Sequence, residues 1–217
     1  PSSNLYNFGT GDFTVEFWLY AINMPNTAGI VGKKTGDASN GWQIYHNTSV
    51  ANTRLSIRTT LTNDFSSTSS WTLNIWEHWA VARSGGTIRW FKNGTLDNSA
   101  SSAYNISDTA LTYIGYSQTW GGYYTGYISN LRVIKGQALY TATFTPSTSP
   151  LTTTSQSATS TNVSLLACQN TTIIDNSTNA ITLTAAGNAV PSKFNPFGST
   201  NTAATGPWSP TVERSEE

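Results

Sequence analysis

The stretch over 126–135 (GYISNLRVIK) most constrains the fold of this 217-residue chain. Side chains of a β-strand alternate between its two faces. In this stretch one face carries Tyr127, Leu131 and Val133, and the other carries Ile128, Asn130, Arg132 and Ile134. Apolar side chains on both faces are typical of a strand that is covered on both sides. The pattern therefore predicts a central strand of a layered β-protein.

A second strand is predicted over 11–20 (GDFTVEFWLY), where the alternation is regular. One face carries Phe13, Val15, Phe17 and Leu19, and the other carries Thr14, Glu16, Trp18 and Tyr20. This pattern indicates a half-buried antiparallel strand. Shorter strands are predicted over 28–34, 42–46, 54–60, 76–84, 87–92 and 111–115. Asn93-Gly94 supplies residues that tolerate positive φ in a tight hairpin, and no helix longer than about one turn is expected.

The composition excludes several classes of partner. Charged residues make up 10% of the chain, and 11 basic residues balance 11 acidic ones. No basic patch emerges, so neither nucleic acid nor an anionic membrane is expected as a partner. No stretch approaches the roughly 18 apolar residues of a membrane span. A single cysteine, Cys168, excludes a disulfide framework and a cysteine-based metal site.

Three segments carry a family resemblance: GTGDFTVEFW over 9–18, WEHWAVARSGGTIRWFKNG over 76–94, and GYISNLRVIKGQALYTATFTPSTSPL over 126–151. They resemble the concanavalin A-like (laminin-G-like) lectin/glucanase superfamily, in the version common in bacteriophage virion proteins. The resemblance implies an all-β fold, an antiparallel β-sandwich of jelly-roll type with no substantial helix.

The same resemblance implies how the rest of the chain is organised. Residues 1–197 would form one domain that lacks its first strand, and 198–217 would be a tail or a connection. The Ser/Thr-rich run over 141–161 would cross the domain surface, with strands following at 163–168 and 181–184. Pro1 is no natural start, so the chain is expected to be a piece of a longer polypeptide.

Catalysis is not expected. Glycoside hydrolysis needs two carboxylates held together, and the glucanases of this superfamily place them in a Glu-x-Asp-x-Glu strand. This chain has no such triplet, and Glu16 and Glu77 each stand alone. Glu16 is predicted either to lie on a half-exposed face or to make a structural hydrogen bond. His46 and His78 have no nucleophile-elbow context, and His78 is predicted to be a packed or capping histidine.

Calcium is the metal that the resemblance implies. Asp37, Asp64, Asp97 and Asp108 all fall in predicted loops, but none belongs to a D-x-[DN]-x-[DN]-G pattern. Many laminin-G-like relatives have Asp-Glu where this chain has Ser129-Asn130, which weakens the expectation. We therefore predict no cofactor and assign no metal ligands, although a calcium ion stays compatible with the family.

Carbohydrate binding is the commonest activity of the superfamily. Sugars present apolar faces that stack on exposed aromatic rings, while amide and backbone groups bond their hydroxyls. The loop over 117–126 (SQTWGGYYTG) places Trp120, Tyr123 and Tyr124 beside two glycines. Trp42 with Gln43, and Trp71, are further candidates. The alternative is that these aromatics pack against neighbouring strands or subunits, and it applies first to Tyr124.

The resulting hypothesis is a non-enzymatic module on a bacteriophage particle, in a tail fibre, a baseplate or the capsid surface. At the virion surface, and so extracellularly, it would bind host-surface glycan beside other virion proteins and copies of itself in a symmetric assembly. Two alternatives stay open. One is a purely structural virion subunit, and the other is the binding domain of a secreted bacterial adhesin or enzyme.

Overall fold

The computed structural model describes residues 4–36, 38–47, 54–60 and 63–198. In these residues the regular structure is thirteen β-strands and three 3-10 turns of three residues each, at Asn4–Tyr6, Ser155–Ser157 and Ser160–Asn162. The strands are β1 Phe13–Asn23, β2 Gly29–Lys33, β3 Trp42–Asn47, β4 Arg54–Thr60, β5 Asn63–Ser70, β6 Trp76–Ser84, β7 Thr87–Lys92, β8 Thr95–Ser101, β9 Thr112–Ile114, β10 Tyr116–Ser117, β11 Gly122–Tyr123, β12 Thr125–Lys135 and β13 Val163–Ala167. Among the described residues there is no helix long and apolar enough to cross a membrane.

The strands form two packed antiparallel sheets, which confirms the predicted sandwich. One sheet has six strands in the order β13-β12-β1-β6-β7-β8, and the other has five in the order β5-β4-β3-β2-β9. Strands β10 and β11 form a separate small hairpin. The predicted positive φ angles at the β7–β8 turn are present, at 49° for Asn93 and 78° for Gly94.

The main core lies between the two sheets. Strand β1 sits between β12 and β6 and turns Phe13, Val15, Phe17 and Leu19 inward, each at most 2% exposed. The five-stranded sheet contributes five buried side chains to the same core: Val31, Trp42, Ile44, Leu55 and Ile57. The alternation read from the sequence therefore identifies the inner face of β1.

A β-bulge in β12 changes which side chains share a face. Glu16 pairs with Arg132 and Trp18 pairs with Ser129, so one residue of β1 faces two residues of β12. Asn130 occupies the bulge with a φ of 51°. Before the bulge, Ile128 packs on the main core and Tyr127 contacts Tyr20 on the opposite face. The prediction that Tyr127 shares a face with Leu131 and Val133 was wrong for this reason.

The outer face of the six-stranded sheet is covered, so β1 is buried on both sides. The segment after Gly136 packs over it, and the Leu139 amide donates to the Thr14 hydroxyl at 2.9 Å. Glu16 on this face is completely buried. Its predicted half-exposed position is wrong, and the alternative, a structural hydrogen bond, is what the structure shows.

Three further differences from the sequence expectations concern strands. The polar strands β5 and β8 were missed, and they place Asp64 and Asp97 in strands where loops were expected. The predicted strand over 181–184 is irregular chain. There the Ile181 amide donates to the Asp175 carboxylate at 3.0 Å and pairs with no neighbouring strand.

The end of the described chain packs on the six-stranded sheet. Phe194 lies against Tyr20 with ring centres 4.8 Å apart, and Phe197 lies against Trp18 at 5.8 Å. Residues 199–217 lie outside the described residues. The division into a domain over 1–197 and a tail over 198–217, and the missing first strand, stay predictions.

Candidate functional site: an aromatic hairpin on the five-stranded sheet

The hairpin of β10 and β11 lies directly on the outer side of β2. A Cβ atom added to Gly29 would come within 2.3 Å of the Ser117 nitrogen, and one added to Gly122 within 2.3 Å of the Thr27 carbonyl. Only glycine permits such close backbone contact. The two glycines thus let the hairpin 116–123 pack on the sheet without intervening side chains.

The turn of the hairpin carries Trp120 to a neighbouring strand. The indole lies 4.5 Å from the Tyr45 ring, tilted by 50°, and the Arg58 guanidinium lies over it at 5.1 Å. Tyr45 is 3% exposed, whereas Trp120 and Arg58 keep partial exposure. Cation–π and offset ring contacts of this kind hold the Trp120 ring in one orientation.

Three tyrosines form the base of the hairpin. Tyr116 lies 4.8 Å from Tyr123 and 5.5 Å from Tyr113, measured between ring centres. Tyr123 is 67% exposed, more than any other large apolar or aromatic side chain with described exposure. An exposed ring supported from beneath by a second ring is suited to stacking against the apolar face of a sugar.

Register places polar groups on the same side of the sheet as these rings. Gly32 of β2 pairs with Tyr113 on one side and with Gln43 on the other, and Gln43 pairs with Arg58. The Ser117 hydroxyl donates to Gln43 Oε1 at 3.2 Å. Gln43 Nε2 is buried and has no hydrogen-bond partner among the described residues. We call the set Gln43, Tyr45, Arg58, Tyr113, Tyr116, Trp120 and Tyr123 the hairpin face.

The structure brings together only part of the predicted sugar site. Trp120, Tyr123 and Gln43 belong to the hairpin face, whereas Trp42 is completely buried and donates from Nε1 to the Tyr6 carbonyl at 2.9 Å. Its ring has no face left for a sugar. Trp71 is half-buried and contacts His46 edge-on at 5.3 Å, away from the hairpin contacts.

Tyr124 is largely enclosed by its neighbours. Its hydroxyl donates to the Tyr20 carbonyl at 2.7 Å and approaches the Tyr127 carbonyl at 3.3 Å. Burial raises the pKa of this phenol above its usual value. The Tyr124 hydroxyl therefore joins the loop to β1 and β12.

Glu16, His78, Arg132 and Tyr140 form a closed network on the outer face of the six-stranded sheet. Arg132 Nε and Nη2 donate to Glu16 Oε1 at 2.8 and 2.5 Å, and the Tyr140 hydroxyl donates to Glu16 Oε2 at 2.8 Å. His78 Nε2 lies 3.2 Å from the same Oε2. Burial alone would raise the pKa of Glu16, but the His78 hydrogen bond and the Arg132 charge outweigh it and keep the pKa low.

This network is not built for acid–base chemistry. Glu16, His78 and Arg132 are each at most 1% exposed, and both carboxylate oxygens already accept hydrogen bonds. A general acid or base must reach the proton that it transfers. We therefore assign the network a structural role. His46 contributes Nδ1 to a contact with the Pro25 carbonyl at 2.9 Å.

The described residues bring no cluster of acidic side chains together for a calcium ion. They contain no group of three or more His, Cys, Asp or Glu side chains that could hold a metal ion. Asp97 accepts from the Thr68 and Ser69 amides, and Asp108 accepts from the Thr35 and Ala110 amides. Asp37 lies outside the described residues, as does the side chain of Asp64.

Comparison with known proteins identifies the family. The model of the family described as "Concanavalin A-like lectin/glucanases superfamily" (Laminin_G_3) matches residues 2–143. The chain belongs to this superfamily. In this concanavalin A-like domain the match includes all of the hairpin face. No curated protein matches the chain.

Solved structures resemble the domain in fold. A candidate carbohydrate-binding protein from Bacteroides ovatus ATCC 8483 has a TM-score of 0.56 at 15% identity, over 79% of this chain and 50% of that one. Domain 4 of AbnA, an extracellular arabinanase from Geobacillus stearothermophilus solved with arabinotriose, has 0.48 at 15%, over 60% and 63%. The sialidase CBM40 of Ruminococcus gnavus, bound to sialyllactose, has 0.48 at 11%, over 61% and 80%. This chain thus spans half the length of the Bacteroides ovatus structure.

Four residues of the hairpin face were not predicted from the sequence as site residues. Tyr45 and Arg58 lie in correctly predicted strands, but only the fold brings them to Trp120. Tyr113 and Tyr116 flank Gly115 in a strand and a loop that were predicted without a role. The signal that could have found them is the density of tyrosine between residues 113 and 124.

Proposed function

We propose that this domain is a non-catalytic carbohydrate-binding module and that the hairpin face is its binding site. The observation that carries the proposal is Tyr123, which is 67% exposed, is supported by Tyr116, and lies on the same hairpin that carries the Trp120 indole. Such a surface offers ring faces for stacking and amide groups for hydroxyls. Membership of a superfamily of lectins and glucanases supports the proposal. So does the carbohydrate-binding name of the Bacteroides ovatus structure.

The non-catalytic part of the proposal rests on the carboxylates. A Glu-x-Asp-x-Glu strand is absent from the sequence, and the Glu16 carboxylate is buried under hydrogen bonds. Glycoside hydrolysis needs an accessible acid and a second carboxylate within about 10 Å. The domain would therefore hold a glycan without cleaving it.

The proposal also covers where the domain acts. The segments over 9–18, 76–94 and 126–151 resemble those of bacteriophage virion domains. We therefore infer a module at the virion surface, extracellular, that attaches to host-surface glycan beside other virion proteins and further copies of itself. Net charge of zero is in keeping with a neutral glycan as ligand.

A glycan array and a host-cell binding assay test this function. The full chain is compared with its Tyr123→Ala and Trp120→Ala forms, with and without calcium. Tyr104→Ala is the matched control, because Tyr104 is also exposed, at 37%, but lies outside the hairpin face. We expect binding that both hairpin variants lose by at least about tenfold and that the control keeps. Binding that survives both changes would move the site elsewhere.

One observation favours a second candidate function, a structural subunit of a virion. Ile22, Leu73 and Ile75 are 47%, 46% and 54% exposed, and a bridge between Ala21 and Leu73 brings their segments together. Exposed apolar groups of this kind are common at subunit contacts. A folded chain that assembles in solution, loses assembly on Ile75→Ser, and binds no glycan would favour this candidate.

A further inference from the structure

We propose that the hairpin 116–123 is a movable flap over a saccharide subsite formed by Gln43, Tyr45 and Trp120. This inference rests on the proposed carbohydrate-binding function and assigns the polar contacts of the same site. Three observations carry it: unpaired buried polar atoms at the hairpin, a weak attachment of the hairpin to the sheet, and the chemistry of the groups involved.

Three polar side-chain atoms at the hairpin are buried without a hydrogen-bond partner among the described residues. They are Gln43 Nε2, Gln118 Oε1 and Thr119 Oγ1. Gln43 itself is 3% exposed and touches Ser117, the residue before Gln118. Buried polar groups in native proteins are paired in the great majority of cases, and an unpaired one costs stability. Of these three residues Gln43 is the most buried, and its Nε2 can donate to a further partner at this place.

The hairpin is held to the sheet by few polar contacts. One hydrogen bond among the described residues joins 116–123 to β2 or β3, from the Ser117 hydroxyl to Gln43 at 3.2 Å. The other attachments are the contacts of Trp120 with Tyr45 and Arg58 and close backbone packing at Gly29 and Gly122. At the base of the hairpin the Gly115 amide donates to the Ile30 carbonyl at 2.8 Å. Segments with few such bonds open at low free-energy cost.

The backbone at the hairpin permits this motion. Gly115 precedes β10 with a φ of 75°, and Gly121 lies in the turn with a φ of 71°. Glycine at both places allows large changes of φ and ψ without a Cβ clash. Opening about Gly115 would separate Trp120 from Tyr45 and uncover the Gln43 amide.

The exposed groups select a neutral, hydroxyl-rich ligand. The amide of Gln43 donates, the carbonyl of Gln118 accepts, and the Thr119 hydroxyl does both, which matches the hydroxyls of a saccharide. The ring of Trp120 would stack on the apolar face of the same sugar. A wholly apolar ligand would leave the three polar atoms unpaired. Arg58, the charged neighbour, already lies over the Trp120 ring.

Hydrogen exchange of the unliganded full chain tests the motion without any ligand. Amides of 116–123 should exchange at least about 100-fold faster than those of β3, the strand beneath, because they open locally. Exchange of the hairpin as slow as that of β3 would overturn the flap. Added saccharide, taken from the strongest glycan-array signal, should slow the hairpin amides and leave β8 unchanged.

The variant Gln43→Met tests the subsite. Methionine keeps the volume but removes the whole amide: it relieves the unpaired Nε2 and also removes the acceptor of the Ser117 hydroxyl, so thermal stability should change little while saccharide affinity falls at least about tenfold. Gln156→Met, in a turn away from the hairpin, is the matched control and should bind as wild type does. Unchanged affinity in Gln43→Met, which would leave water as the partner of these atoms, overturns the subsite alone. A wild-type chain that binds no saccharide overturns the proposed function and the subsite together.

Discussion

Arg132 and Glu16 form a completely buried ion pair across β12 and β1, with the guanidinium donating twice to Glu16 Oε1 at 2.8 and 2.5 Å. Arg132 Nη1 also donates to the carbonyls of Thr152 and Ser155 at 2.7 and 2.9 Å. The pair therefore fixes the covering segment to the six-stranded sheet as well as pairing two strands. Removing either partner would leave the other charge buried without a counter-charge, which lowers the free energy of unfolding.

Glu16→Gln should destabilise the domain by about 3–5 kcal/mol, because it leaves the Arg132 charge buried without a counter-charge. Urea unfolding measures the change. Glu77→Gln is the control, since the partner of Glu77, Lys92, keeps 20% of its side chain exposed and water can solvate it. A loss for Glu16→Gln no larger than that for Glu77→Gln would contradict the assigned role.

Acid should weaken the domain through the same carboxylate. The folded pKa of Glu16 is low, because the His78 hydrogen bond and the Arg132 charge outweigh the burial that would raise it. Its contribution to stability is therefore complete above the unfolded pKa of about 4.3 and is lost as pH falls through the folded pKa. Unfolding free energies measured from pH 7 to pH 3 should fall in wild type, and less steeply in Glu16→Gln. Equal slopes would show that Glu16 does not carry the effect.

Gly29→Ala should displace the hairpin. The new Cβ would lie 2.3 Å from Ser117 and Tyr116 backbone atoms, which cannot rotate away. We expect a loss of about 1–3 kcal/mol in unfolding free energy. Gly36→Ala is the control, since no atom lies within 4 Å of its added Cβ. A Gly29→Ala chain as stable as the control, with unchanged glycan binding, would contradict the close packing described.

Asn130 should prove sensitive in two separable ways. Its Oδ1 accepts from the Leu151 amide at 2.8 Å and from Gln169 at 2.7 Å, and its φ is 51°. Asn130→Ala and Asn130→Gly both lose this acceptor and the Nδ2 donor to the Ser129 hydroxyl, but only alanine adds backbone strain at this φ. Thermal or urea unfolding should find the alanine form less stable than the glycine form by about 1 kcal/mol. The reverse order would argue against the bulge.

Sequence periodicity predicts the strands that need a hydrophobic face. Strands β4, β6 and β7 have the predicted bounds because their inward side chains alternate clearly. Strands β5 and β8 end the two sheets, and Ser and Thr fill most of the first. The backbone pairs β5 with β4 and β8 with β7, and polar contacts such as Thr68 with Asp97 join the two edge strands to each other, so there is no apolar period to detect.

Alternating apolar residues also predict a strand wrongly where their side chains are buried but their backbone pairs with no strand. Ile181 and Leu183 pack on the main core as strand residues would, yet their backbone joins no sheet. The bulge at Asn130 is invisible to a strict period of two, although asparagine is a residue that tolerates positive φ. The covered outer face of β1 was missed because irregular chain, and no strand, covers it.

The hairpin residues of the candidate site could be predicted from the sequence, but the residues that surround the hairpin could not. Trp120 and Tyr123 stand in a glycine-rich loop, so local chemistry suggested them. Trp42 and Gln43 are adjacent in one strand and must point to opposite faces, so they could not have served one surface together. The contacts of Trp120 with Tyr45 and Arg58 join residues distant in sequence, which only sheet register brings close.

The most direct test of the central claim locates the bound glycan on the domain. A saccharide found on the array is titrated into the isotope-labelled full chain while amide chemical shifts are followed by NMR. The account predicts saturable shifts centred on 116–123 and on Gln43 and Tyr45, with the amides of β8 unmoved. Saturable shifts centred elsewhere, such as on the polar groove between 169–172 and 192–195, would contradict it, and so would no shift at all.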